Sequence, residues 1–219
     1  MNDKYSSDEN ERNLSRRAYD TILQMIINRE LPINSVLQER KLAELLDISR
    51  TPVRNALTRL ENEGFIARNG GRTPVVKEFS IQELVETLHI RRTLEGEAAR
   101  LAAGRVPPAM LDEIETQINA LLAQEIPDPN EDWAVDTRLH DAIAHYSGNR
   151  LLKEYIQALR LKTRMFNLRQ VPERFAIGHN EHLQIIAALR ENQPAEAQRL
   201  LVVHIDNVRE SIIKRFSSF

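Results

Sequence analysis

The chain has no cysteine among its 219 residues, so disulfide staples and thiolate zinc sites are excluded by count. Any bound metal must draw on histidine and carboxylate. Glycine is scarce, seven residues or about 3% against an average near 7%, which counts against glycine-hungry β-rich and doubly wound nucleotide folds. No stretch approaches ~18 uninterrupted apolar residues, and the opening MNDKYSSDENERN is polar where a secretory signal needs an apolar core. Neither a membrane span nor a signal is expected, and the cytoplasm is the expected compartment. An excess of one charge is missing too: the net of -2 rules out a uniformly basic coat but leaves room for a local patch. What remains, 42% hydrophobic and 28% charged, is a globular composition long enough for one large domain or two small ones.

Residues 1–13 are expected to be a flexible tail. Leu14, Ala18, Ile22, Met25 and Ile26 then recur at helix spacing, and this first helix should end near Leu31-Pro32. A short second helix carries Leu42, Leu45 and Leu46, with Asp47-Ile48 as the turn. A third opens at Ser49-Arg50-Thr51-Pro52, where Ser49 or Thr51 can cap and proline costs no hydrogen bond. Val53, Ala56, Leu57 and Leu60 bury one of its faces and leave Arg50, Arg54 and Thr58 on the other. Gly64 stops it, and residues 65–67 and 74–76 read as strands around Asn69-Gly70-Gly71. Beyond residue 79 only amphipathic helical segments follow, near 80–104, 108–125, 131–147, 150–170, 174–191 and 194–216, separated by proline and glycine breakers. The expected fold is mainly α, a winged helix-turn-helix over 14–79 and an antiparallel all-helical bundle over 80–219.

Charge is uneven along this chain. Between residues 40 and 77 stand Arg40, Lys41, Arg50, Arg54, Arg59, Arg68, Arg72 and Lys77 against Glu44, Asp47, Glu61 and Glu63, eight minus four or a net of +4. Arg50 and Arg54, four residues apart, share a helix face, and a guanidinium can bridge O6 and N7 of guanine. Ser49 and Thr51, at the helix N-terminus, can bond phosphate oxygens. The alternative is a solvated helix whose arginines pair with Glu61 or Glu63.

The run Ser49-Arg50-Thr51-Pro52-Val53-Arg54-Asn55-Ala56-Leu57-Thr58-Arg59-Leu60-Glu61-Asn62-Glu63-Gly64-Phe65-Ile66, with Leu42-Ala43-Glu44-Leu45-Leu46 before it, resembles the signature of GntR-family transcription regulators over about 25 positions. The resemblance implies that Arg40, Arg50 and Arg54 are DNA-contacting arginines, that Ser49 and Thr51 touch phosphate or base edges, and that Gly71 is the wing-tip glycine. Arg29, Ile33-Asn34 and Asp47 stand where the family usually has turn glycines, and Asn and Asp tolerate left-handed backbone better than most residues.

A second group lies in the helical half. Asp136 and His140 are i, i+4, His182 shares a stripe with Ile185, Ile186 and Leu189, and His204 shares one with Leu200, Leu201 and Val208. Each imidazole taken singly can be a hydrogen-bonded core histidine. Three of them with one carboxylate on three helices fit a divalent-metal site with open positions for water or ligand. Imidazole and carboxylate suit zinc first, with nickel, manganese or iron as alternatives. The segments Asp136-Thr137-Arg138-Leu139-His140, residues 181–189 and His204-Ile205 resemble the ligand-binding FCD-type domain of the FadR subfamily, in its six-helix VanR-like form. That resemblance implies metal ligation by Asp136, His140, His182 and His204, and places Arg91 where relatives face an effector. Arg91 can clamp a carboxylate or form a salt bridge to Glu95. His89, His145 and His179 are assigned to the surface or to supporting positions.

The function expected is a non-enzymatic regulator, a homodimer on a palindromic double-stranded DNA operator, controlled by a small carboxylate effector beside a divalent metal. Two alternatives stand beside it. One is a metal-dependent hydrolase with Glu181 as the sequence-local base; the other is a regulator whose metal is purely structural.

Overall fold

The structure is a computed structural model that describes residues 3–69, 73–166 and 174–217. The chain divides into two compact units, Met1–Phe79 and Ser80–Phe219.

The first unit contains α1 (Asp3–Ile27), α2 (Glu39–Leu46), α3 (Arg50–Asn62), β1 (Ile66–Asn69) and β2 (Thr73–Val76). Helix α1 lies on α3, and Ile22, Ile26, Val53, Leu57 and Leu60 between them are almost wholly buried. The helix begins at Asp3, where a flexible tail was expected. Once the buried segment from Ala18 onward fixes the helix, each added turn gains backbone hydrogen bonds without a new nucleation cost. Strands β1 and β2 pair antiparallel with Ile66 opposite Val76 and Asn69 opposite Thr73, and Val36 adds a bridge to Val75. The strands are displaced by about a residue from the expectation: the Phe65 N–H turns back to the Leu60 carbonyl at the end of α3, while its carbonyl still accepts from the Lys77 N–H, and its ring fills the core. Ser49 is the N-cap of α3 in extended conformation, but neither it nor Thr51 closes a side-chain cap bond. Arg29, Asn34 and Asp47 have φ of 64°, 63° and 51°, so all three departures from the turn glycines fall on left-handed backbone.

The second unit contains six helices among the described residues: α4 (Ile81–Ala102), α5 (Pro108–Leu122), α6 (Pro129–Tyr146), α7 (Arg150–Met165), α8 (Arg174–Arg190) and α9 (Pro194–Ser217). Ser80 and Glu83 form a reciprocal capping box at the start of α4. Asp128 caps α6 by accepting from the Asn130 N–H at 2.6 Å, with Pro129 at the first helical position, so the Asp-Pro read as a breaker is a helix start. Asn149 caps α7, accepting from the Leu152 N–H at 3.1 Å. The described part of α7 closes at Met165, and the remaining expected turn to 170 falls outside the described residues. Helix α4 packs on α6, α7 and α9, and α8 on α5 and α9, around a core that includes Leu88, Ile114, Leu139, Ile143, Ile185 and Leu201. Gly96 admits α9 to α4, since a Cβ there would lie 2.8 Å from Cγ2 of Val202. With α4 through the middle, inward positions of α4, α6, α7, α8 and α9 meet at one place.

Candidate metal centre and nucleic-acid face

One ligand atom from each of Asp136, His140, His182 and His204 lies within 4.8 Å of every other. Helix α6 contributes the first two from successive turns, α8 the third and α9 the fourth. The three histidines are 5% exposed or less. Nε2 of His182 is 3.3 Å from Nε2 of His204, and Oδ1 of Asp136 is 3.7 Å from both His140 Nε2 and His182 Nε2.

Neighbours hold this arrangement from outside. Glu95 of α4 bonds Nδ1 of His140, and Glu181 of α8 accepts from Nδ1 of His204 at 2.7 Å, so both rings turn Nε2 inward. Arg160 of α7 takes Oδ2 of Asp136 at 2.5 Å, leaving Oδ1 for the imidazoles. Burial opposes ionisation of Asp136, but the Arg160 guanidinium and the nearby rings outweigh it and hold its carboxyl well below the usual range. His140 and His182 are both pushed below the ordinary imidazole value, chiefly by burial, with Arg160 adding to the shift at His140 and His204 at His182. Neutral rings keep the lone pairs that a cation needs. Among the described residues, Nε2 of His140 is buried without a hydrogen-bond partner, an atom whose satisfaction must come from elsewhere. Three nitrogens and one oxygen, with that nitrogen unsatisfied, fit a first-row divalent ion.

Arg91 is 5% exposed, its Nε 2.6 Å from Oε1 of Glu95 and its Nη1 3.2 Å from Oγ1 of Thr163. Of the two sequence readings, the salt bridge is the contact present. Glu181 does not stand free as a general base. Burial works against its charge, yet hydrogen bonds from His204, Arg174 and Asn207 hold its carboxyl at about 2. His89 and His145 are exposed, while His179 is buried beside His182 and bonds Asp132 at 2.8 Å. Sequence reasoning missed Glu95, Arg160 and Glu181 as supports of the rings and of Asp136. Glu95, four residues after Arg91, and Glu181, adjacent to His182, had a local signal, but for other roles; Arg160 had none.

In the first unit the side chains of Arg50 and Arg54 are 62% and 59% exposed on the open face of α3, and Arg40 of α2 is 76% exposed beside Glu44. Ser49 and Thr51 are exposed at the α3 N-terminus. Gly71 lies outside the described residues. Of the arginines of α3, Arg59 pairs with Glu63, as the alternative reading held, and Glu61 bonds Arg68 of β1; the partner of Arg50 and Arg54 is instead Glu39 of α2.

Comparison with known proteins accords with this division. The FCD domain family matches residues 86–207, and the family described as bacterial regulatory proteins, gntR family, matches residues 14–76. The chain is 27% identical over 212 residues to the HTH-type transcriptional regulator LutR of Bacillus subtilis, covering 85% of this chain and 95% of that one. It is 28% identical over 219 residues to the Glc operon transcriptional activator of Escherichia coli, covering 88% and 86%. The structure of E. coli McbR/YncC superposes with a TM-score of 0.77 at 24% identity, over 93% of this chain and 98% of that one, a likeness of fold.

Proposed function

The chain belongs to the GntR family of bacterial regulatory proteins and carries an FCD domain, which makes it a transcriptional regulator and not an enzyme; from that premise we propose that a small carboxylate metabolite, bound beside a divalent metal in the helical unit, sets its affinity for an operator. The observation that carries the proposal is the convergence of Asp136, His140, His182 and His204 on one buried point. These four would hold the ion, zinc first among nickel, manganese and iron. When bound, the ion supplies a positive anchor for a carboxylate oxygen. Arg91 and Arg160 are held beside the ligand set by ion pairs to Glu95 and Asp136, which balance their charge. Arg91 would face the effector with N–H groups that Glu95 and Thr163 leave free.

The DNA-binding unit would read the major groove with Arg50 and Arg54, reach it also with Arg40, bond phosphates with Ser49 and Thr51, and place Gly71 at the wing tip. A homodimer, acting in the cytoplasm, would then require a palindromic operator whose half-site spacing it fixes. An effector changes operator affinity only if it binds the DNA-competent and incompetent states unequally.

The test uses the purified full chain, stripped of metal and reloaded with zinc, and a duplex that the protein itself selects from random DNA. A panel of small hydroxy-, keto- and dicarboxylic acids is titrated into the complex. At least one acid should shift duplex affinity by about 5-fold or more in the zinc-loaded protein, less in the stripped protein, and be recovered unaltered. Bound zinc with no response to any acid would favour a structural metal and defeat the proposal.

A further inference from the structure

Glu39 is an acidic residue on a surface otherwise suited to polyanions. Its carboxylate lies 3.1 Å from Nε of Arg54 through Oε1 and 3.0 Å from Nη2 of Arg54 through Oε2. Oε2 is also 3.4 Å from Nη2 of Arg50. One acid at the start of α2 therefore holds both arginines of the open α3 face, across 11 and 15 residues of sequence. Its side chain is 27% exposed against 62% and 59% for theirs, so it sits beneath the pair.

A guanidinium has five N–H groups in a rigid plane. When a carboxylate occupies the Nε and Nη2 edge, the Nη1 and outer Nη2 hydrogens form a second, parallel fork pointing away from it. That fork has the geometry that O6 and N7 of guanine accept. The carboxylate thus aims Arg54 and limits the rotamers it can take, which lowers the ordering cost when a base is met. It also removes one unit of net positive charge from the surface, which weakens attraction to phosphates of any sequence. Both effects raise the ratio of specific to non-specific binding, one by favouring the right partner and the other by disfavouring the wrong ones.

We infer that Glu39 is a positioning residue for sequence discrimination, aiming Arg54 and Arg50 at base edges and restraining them from indiscriminate phosphate contact. This rests on the proposed reading that the two arginines touch bases. The experiment compares wild type, Glu39→Gln, Arg54→Ala and the double variant of the full chain. Each is titrated with the duplex selected by wild type and with a scrambled duplex of equal length, over a salt series, with melting temperature as the check on folding. Glu39→Gln should melt as wild type does, bind the selected duplex about tenfold more weakly, bind the scrambled duplex as tightly or more tightly, and select a flatter base profile from random DNA. Added to Arg54→Ala, it should cost the selected duplex little more. Equal strengthening on both duplexes would make Glu39 a mere charge shield and overturn the inference, as would no change on either. If Arg54→Ala binds the selected duplex like wild type, the base-contact reading itself fails; if it weakens binding while Glu39→Gln does not, only the role of Glu39 fails.

Discussion

Replacing Glu95 by glutamine removes a negative charge whose side chain is 2% exposed, between Arg91 at 6% and His140 at 0%. The carboxylate is held far below its usual range because, against strong desolvation, Arg91 and His140 favour its charged form. Glutamine fills the same space and can still accept from Nδ1 of His140, but it leaves the Arg91 guanidinium buried with only Thr163. Removing one partner of a buried ion pair costs about 3 to 5 kcal/mol. For a unit of this size that is roughly 6 to 20 °C in melting temperature. Weaker orientation of His140 should lower metal affinity about 10- to 100-fold. The single tryptophan, Trp133, lies in α6 facing Arg160 and Arg164, so its fluorescence reports denaturation of this unit alone. Urea titrations of metal-free Glu95→Gln and wild type, together with competitive zinc titrations, give both numbers. A second variant, Arg91→Met with Glu95→Leu, removes both charges and should recover most of the stability but not the zinc affinity. If Glu95→Gln unfolds within ~0.5 kcal/mol of wild type, a threshold typical of ordinary surface changes, and binds zinc equally well, the buried network neither stabilises the unit nor orients His140.

Arg29→Gly relieves a left-handed arginine at φ 64°. The strain relieved, about 1 to 2 kcal/mol, exceeds the added freedom of the unfolded chain at about 0.4 to 1, so the first unit should gain on the order of 1 kcal/mol by chemical denaturation; a loss would mean the Arg29 side chain contributes more than its backbone costs. Metal-free protein should lose stability as pH falls below the unfolded histidine value near 6.5, because His140 and His182 have depressed values and the unfolded chain takes up protons first. Denaturation midpoints that stay level from about pH 7 to 5 would contradict this. His182→Ala should leave zinc below stoichiometric level after dialysis, by elemental analysis; full occupancy would exclude that ring from the ligand set.

Helical periodicity carried much of what could be read in advance. The i, i+4 pair Asp136 and His140 shares a face, and the stripes containing His182 and His204 do point inward, because burial of Ile185, Ile186 and Leu201 dictates which face that is. The partners that orient those residues were not legible. Glu95, Arg160 and Glu181 reach Asp136 or a ring from other helices, separated by 45, 24 and 23 residues, and no spacing rule connects positions joined only by packing. The same holds for Glu39, which answers to Arg54 across the turn between α2 and α3. The helix start at Pro129 was missed for a different reason: Asp-Pro serves a turn or an N-cap equally well, and only the residues after the proline decide between them.

Effector sensing, as proposed, requires four side chains on three helices to hold one divalent ion. Crystals of the zinc-loaded protein, measured on both sides of the zinc absorption edge, give the sharpest test. A single strong anomalous peak should appear, bonded to Asp136 and to the Nε2 atoms of His140, His182 and His204. A peak elsewhere, or fully loaded crystals with none among these residues, would refute the metal centre.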